Sequence, residues 1–218
     1  MEFMVTMTTR VPDGTADAAV AEVRAREAAR TRELSAEGHI LRLWRPPVAP
    51  GEWRTLGLFA AADRGELEQV LASMPLRVWR SDEVSELAHH PNDPAPSDQR
   101  AADRPADETD SEFLTTFVTD ISHGTPAEVI SDARAGEAMR THELAGQGRL
   151  VRLWLLSAWP DGSRALGLWR AADVTRLRQM LASLPMAPWL TEEVTPLVAH
   201  PSDPAARGSR PAAAWAGQ

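Results

Sequence analysis

The chain is written twice over. The stretch RAREAARTRELSAEGHILRLW, Arg24 to Trp44, recurs as RAGEAMRTHELAGQGRLVRLW, Arg134 to Trp154. The offset is 110 residues (137 − 27), and it holds without a gap from Glu2 and Glu112 to Pro94 and Pro204. A repeat of that length divides the 218 residues into two units of about 95, each able to bury one small core. The expected division is a first unit over 1–94, a linker over 95–110, a second unit over 111–204 and a disordered tail over 205–218. The linker, APSDQRAADRPADETD, is polar, rich in Pro and Asp and without periodicity. The tail is rich in Ala, Arg and Pro, with Trp215 as its one large apolar residue.

Within the first unit the periodicity changes in a fixed order. Residues 2–9 alternate as a strand, and Pro12-Asp13-Gly14 is turn chemistry. Residues 16–37 carry helical spacing and stop at Gly38, a natural position past a helix end. Residues 39–45 and 53–60 form the strands of a hairpin across a Pro- and Gly-rich connection. Asp63 can cap a short helix whose stripe is Leu67, Val70, Leu71 and Met74. Leu76 to Val84 reads as a fourth strand, and Leu87 to Pro94 as an irregular close. The order βαββαβ, with right-handed crossovers, gives a ferredoxin-like four-stranded antiparallel sheet with both helices on one face. The other face carries Phe, Met, Leu and Trp and needs a cover. A second copy in the same chain supplies one, so the expectation is an α+β protein of two such units packed sheet to sheet as an internal pseudo-dimer.

Composition narrows the function. A net charge of −8, a pI near 5.3 and the lack of a basic patch argue against nucleic acid as partner. With no cysteine there is neither a disulfide, nor a thiolate metal site, nor a cysteine nucleophile. The start of the chain has no signal-peptide pattern and no apolar run spans a bilayer, so a cytoplasmic protein without a membrane partner is expected. No pair of histidines has helical metal-ligand spacing beside a carboxylate, so no metal is expected. There are eight Trp and no Tyr, hence no phenol for any site to use.

One residue breaks the helical pattern in each copy. Val20, Val23, Thr31 and Leu34 form the stripe that packs on the sheet, and position 27 at its centre is Glu; the second copy has Glu137 there. A carboxylate on such a stripe has its pKa raised by burial. It either pairs with an arginine as a structural ion pair, Arg42 being the obvious partner, or serves as an acid/base.

Taken together, each half resembles the muconolactone Δ-isomerase family. The carrying residues are the opening F-x-V-x-M-T, then E-x5-E-L-x3-G from Glu27 to Gly38, then Leu43-Trp44-Arg45, Met74-Pro75-Leu76, and the closing Glu83 to Pro91 with its His-Pro. The second copy repeats them at Glu137 to Gly148, Leu153-Trp154, Leu184-Pro185-Met186 and Glu193 to Pro201. The resemblance implies a ferredoxin-like fold that dimerises through its sheets, a site between sheet and helices, and no metal or organic cofactor. It implies a reaction that moves a double bond in an unsaturated lactone by shifting a proton, and places the acid/base at Glu27 and Glu137.

Three features depart from the family. The units are fused in tandem, Leu155 stands where the first copy has Arg45, and the third strand is apolar, as TLGLFA (Thr55 to Ala60) and ALGLWR (Ala165 to Arg170), where the family has a polar, Tyr-containing segment. An anionic lactone needs a cation or several donors. A Trp-rich, Tyr-free pocket suits a bulkier polyketide-like or aromatic biosynthetic intermediate, and makes the chain an isomerase or cyclase acting on it. A muconolactone isomerase of aromatic catabolism, a cofactor-free oxygenase on the same fold and a non-catalytic binder are the alternatives.

A developing enolate oxygen needs donors. The candidates are Arg42 and Arg152, Arg45, His39 and the indole N–H of Trp44 and Trp154. Strand parity puts Arg42 on the side of Ile40 and Trp44. Thr31 and Thr141, one turn beyond the glutamates, either bond them or satisfy their own helix backbone, and Trp79 and Trp189 are candidate pocket walls or core. His90 and His200, each before a proline, read as caps at the unit ends. His39, His123 and His142 have no repeat partner. A small molecule is the expected ligand, and the pseudo-dimer can assemble further as a homo-oligomer.

Overall fold

The computed structural model describes residues 1–94, 110–121, 124–159 and 162–208. In the first copy, strand β1 (Glu2–Thr9) leads into helix α1 (Asp17–Ala36), the hairpin β2 (Ile40–Arg45) and β3 (Trp53–Ala60), helix α2 (Arg64–Ala72) and strand β4 (Arg80–His89). The second copy follows with β5 (Ser111–Thr119), α3 (Ala127–Gly146), β6 (Leu150–Leu156), β7 (Arg164–Ala171), α4 (Val174–Ala182) and β8 (Leu190–Ala199). Asp63 caps α2 as its sequence position requires, its Oδ1 accepting the Glu66 N–H at 2.9 Å.

Each copy forms a sheet in the order β4-β1-β3-β2, repeated as β8-β5-β7-β6. The two sheets join edge to edge, β2 to β8 and β4 to β6, and close an eight-stranded barrel. Closure removes every free edge. Three cores result. Inside the barrel lie residues of both copies, among them Met4, Trp44, Leu58, Leu114, Trp154 and Leu168. Between each sheet and its own helices lies a private core, built on Phe3, Val5, Leu34 and Phe59 in one copy and on Phe113, Leu144, Leu150 and Trp169 in the other.

Several local readings change. The fourth strand does not begin at Leu76: residues Pro75–Trp79 make a 3₁₀ turn, started by the proline, and pairing begins at Arg80. Residues 87–89 are not irregular, because the partner copy's β6 pairs with them, Leu87 opposite Leu156 and His89 opposite Trp154. Parity fails in β2, where a bulge falls between Ile40 and Arg42. Ile40 and Leu43 therefore face the helices while Trp44 faces the barrel interior. Beyond β8, Pro204–Gly208 forms a further 3₁₀ turn rather than tail, and Asp110 is anchored by Arg149 at 2.6 Å. The remainder of the linker, residues 209–218 with Trp215, and His123 lie outside the described residues.

Candidate functional site

Glu27 sits on the buried stripe of α1 with Val23, Thr31 and Leu34. Its Oε2 accepts the N–H of Leu76 at 2.8 Å, and its Oε1 accepts from Arg80 Nη1 at 3.2 Å. Pro75 has no N–H, so the Leu76 amide is the first free donor of the 3₁₀ turn, and it finds the carboxylate. In the second copy Glu137 Oε2 accepts the Met186 N–H at 3.0 Å, again just after a proline. Among the described residues Glu137 Oε1 takes no hydrogen bond, because position 190 is leucine where the first copy has Arg80. Burial raises the carboxyl of Glu137, opposed by the Met186 N–H alone. Burial also raises that of Glu27, opposed by the Leu76 N–H and Arg80, with Asp82 adding to the rise.

Each glutamate borders a cavity between its helix and its sheet. The first, about 210 Å³, is lined by polar residues, Arg24, Arg45, Arg80, Thr9 and Thr55 among them, with Met7 and Trp53. The second, about 380 Å³, is lined largely by apolar ones, Phe117, Leu153, Trp169, Leu184 and Leu190 among them, with Arg134 as its cation. Thr31 and Thr141 line their respective cavities. The Thr141 hydroxyl donates to the Glu137 carbonyl at 2.7 Å, the backbone alternative of the two sequence readings.

The other expected donors are elsewhere. Arg42 grips Glu112 at 2.6 Å and Asp203 at 3.2 Å, and Trp44 Nε1 donates to Glu112 at 2.7 Å. Arg152 grips Glu2 at 2.7 Å and Asp93 at 3.1 Å, and Trp154 Nε1 donates to Glu2 at 2.6 Å. Both clusters join the two copies, and neither lines either of these two cavities. The bulges at Ile40/Arg42 and Leu150/Arg152 put these side chains on the barrel side, away from the glutamates. Arg42 is thus not the partner of Glu27; that partner is Arg80. His39 Nδ1 lies 3.0 Å from the Ala60 carbonyl, outside the cavity. Trp79 and Trp189 line neither cavity; each ends a 3₁₀ turn, and their carbonyls accept from Arg10 at 2.8 Å and Asp120 at 2.9 Å. Arg45 does line the first cavity.

The residues that sequence reasoning missed come from across the copies. β8 pairs with β2 and delivers His200, Pro201 and Ser202 to the first cavity; β4 pairs with β6 and delivers His90, Pro91 and Asn92 to the second. Each histidine therefore closes the site of the opposite copy, a placement that a cap at its own unit's end does not give. Trp169 is the other omission. Its indole N–H donates to Thr115 Oγ1 at 2.8 Å, and its ring meets Phe117 edge to face at 6.3 Å. Gly167 leaves the space this ring occupies, since a Cβ there would clash with it. The signal was in the repeat: Trp169 replaces Phe59.

With this geometry in view, comparison with known proteins is decisive on family. A family model for muconolactone delta-isomerase matches residues 1–93 and again 111–203. The chain belongs to that family. Muconolactone Delta-isomerase 1 of Acinetobacter lwoffii is 30% identical over 92 residues, covering 42% of this chain and 93% of the relative. The corresponding protein of Cupriavidus pinatubonensis is 29% identical over 92 residues, covering 42% and 97%. One copy here therefore spans nearly a whole relative, and the tandem chain holds two family members. Over the full barrel the chain resembles chlorite dismutase from Candidatus Nitrospira defluvii, with a TM-score of 0.56, 6% identity and 90% and 91% of the two chains covered. At that identity the likeness is one of fold. No helix is long and apolar enough to cross a membrane, and among the described residues no group of His, Asp and Glu is arranged to hold a metal ion.

Proposed function

We propose that this family member is an isomerase that shifts a proton in an enolisable unsaturated lactone or ketone, with the second cavity as its principal site. The observation that carries the proposal is Glu137. It is a buried carboxylate with one oxygen pinned by the Met186 N–H and the other unbonded against a cavity. Such a group takes a proton from the carbon next to the carbonyl-conjugated system. The electron pair moves onto the carbonyl oxygen, and the same carboxyl returns the proton at the far end of the conjugated system, so the double bond migrates with no net change in atoms. The sequence of steps closes without an organic cofactor or a metal. Cavity volume and lining favour a bulky, uncharged substrate of polyketide-like or aromatic type here, since about 380 Å³ lies in the ordinary ligand range and about 210 Å³ falls below it.

The first cavity supports a second reading, a small anionic lactone such as muconolactone. Arg45 borders it with no ion pair among the described residues, and Arg24 stacks over Trp53 at 5.2 Å. Both readings are tested in one experiment. Purified protein is incubated in D₂O with muconolactone and, separately, with an aryl-substituted β,γ-unsaturated butenolide, and proton NMR follows deuterium entry and double-bond migration. Turnover that disappears in the Glu27→Gln/Glu137→Gln double variant is expected. Full turnover in that double variant removes the mechanism.

A further inference from the structure

We infer that His90 and His200 are catalytic residues exchanged between the copies, each presenting a neutral imidazole Nε2–H to the carbonyl oxygen of a substrate bound in the opposite copy's cavity. The inference rests on the proton-shift reading above and supplies the donor that Arg42, Arg152, Trp44 and Trp154 do not.

The geometry fixes the tautomer. His90 Nδ1 accepts the Asn92 N–H at 3.0 Å, and His200 Nδ1 accepts the Ser202 N–H at 3.1 Å. A ring nitrogen that accepts carries no proton, so the proton of the neutral ring is on Nε2. Among the described residues neither Nε2 has a hydrogen-bond partner, yet both rings border a cavity. A half-buried donor without a partner, beside a buried base, is an arrangement completed by a ligand oxygen.

The rings stay neutral across the working range. Burial pushes His90 down to about 4, with Asp93 opposing and His89 assisting. Burial pushes His200 down to about 4, assisted by Arg45 and Arg24. The other charged groups facing these rings are Glu137 and Arg134 of α3 in the second cavity, and Glu27 of α1 and Arg80 of β4 in the first. A neutral imidazole donates to a developing enolate without protonating it outright, the role that stabilising the intermediate demands.

The placement is built in. Asp93, three residues after His90, binds Arg152 and accepts the Leu153 N–H at 3.0 Å; Asp203 does the same with Arg42 and the Leu43 N–H at 3.1 Å. Asp93 N–H and Asp203 N–H close back on the His90 and His200 carbonyls at 2.9 and 2.8 Å. The clasp between copies thus sets the position of each histidine, and a single copy would lack its donor.

Two measurements test this. Nitrogen NMR of the intact chain is expected to show both rings as the Nε2–H tautomer, without titration between about pH 5 and 8; the opposite tautomer, or a midpoint near the ordinary histidine value, overturns the inference whether or not the protein turns over a lactone. The second uses the Glu137→Gln chain, which mimics the protonated shuttle, with 4-nitrophenolate as an enolate-like probe. Binding is expected to move the His90 Nε2–H resonance downfield. Adding His90→Phe is expected to weaken binding about tenfold, while His90→Gln, which keeps an N–H near the same place, stays within about threefold. No binding, an unmoved resonance, or equal loss in both variants overturns it. A proton-shift failure has a different sign: Glu137→Gln alone then leaves turnover intact while the imidazole signals are as expected.

Discussion

The two copies start from one plan and end with different electrostatics. Both place a glutamate on the buried helix stripe, both give it an N–H just past a proline, and both receive a histidine from across the barrel. In the first copy Arg80 then occupies the second carboxylate oxygen, and Asp82 holds Arg80 at 2.7 Å. In the second, those positions are Leu190 and Glu192, and the carboxylate oxygen is left open. Arg45 becomes Leu155, Thr55 becomes Ala165, and Met7 becomes Phe117. A fold that needs both copies to close its barrel lets the sites diverge, because the shared interior, the two private cores and the clasps hold it together without either cavity. On the reading proposed above, the second site is the one freed for proton transfer, while the first keeps three arginines against the second's one.

The largest expected effect tests that division. On a substrate of the second cavity, Glu137→Gln is expected to lower turnover by about 10²–10⁴-fold and Glu27→Gln by less than about fivefold, measured as deuterium incorporation. Equal losses would mean that Arg80 does not decide which glutamate works.

The clasps differ as well. Arg42 and Glu112 have side-chain exposures of 9% and 15%, and Glu112 is also met by Arg170 at 3.4 Å; their counterparts Arg152 and Glu2 are at 17% and 26%, while Asp203 and Asp93 are both buried. Removing a cation from the drier cluster strands more buried charge. Arg42→Met is expected to cost about 3–5 kcal/mol and Arg152→Met about 2 kcal/mol, read from urea unfolding of the whole chain. The reverse order would show that burial does not govern these clusters.

Much of this was legible beforehand, for a physical reason. A repeat and two periodicities determine which faces are apolar, and apolar faces determine how strands and helices stack. Glu27 and Glu137 stood out because each interrupts a stripe. The donors did not, because what moves them is local and long-range at once. A bulged residue in β2 rotates Arg42 to the wrong side for Glu27. The pairing of β4 with β6 carries His90, Pro91 and Asn92 into a cavity whose other residues begin at Phe117. Neither a single-residue slip nor an exchange across copies leaves a mark in hydrophobic pattern. The Arg80-for-Leu190 difference did lie in the sequence, but it has meaning only once the 3₁₀ turn brings position 80 against the first helix.

The histidines separate the copies less, and through pH. Each has a folded pKa of about 4 against an ordinary value of 6.5. Above 6.5 both states are neutral; below it the unfolded chain takes up protons that the folded one refuses. Stability is therefore lost as pH falls from about 6.5 to about 4, by about 2 kcal/mol per histidine after allowance for partial solvent screening. Denaturant melts of His90→Gln and His200→Gln are each expected to recover about half of that slope, and the double variant most of it. A slope unchanged in the double variant would assign the acid sensitivity to the carboxylate clusters instead.

The smallest effect converts one site toward the other. Leu190→Arg places a guanidinium where Arg80 sits in the first copy, beside Glu137. A cation there opposes the burial that raises Glu137, so its carboxyl moves down toward the ordinary range. The carboxylate is then the ionised form at lower pH, and the acidic limb of the rate profile moves to lower pH. A weaker base also removes a proton from carbon more slowly, so plateau turnover falls, by about three- to tenfold. Both changes are read from one pH–rate profile. Glu192 stands at the position that Asp82 holds beside Arg80 but is exposed, and Leu190→Arg/Glu192→Gln separates its effect from that of the new cation. With that carboxylate neutralised, the new cation acts on Glu137 alone, and the limb is expected to move further. A limb that stays in place in both variants would mean that Glu137 is not the group whose ionisation sets the rate, and the contrast between the cavities would then be one of size and polarity only.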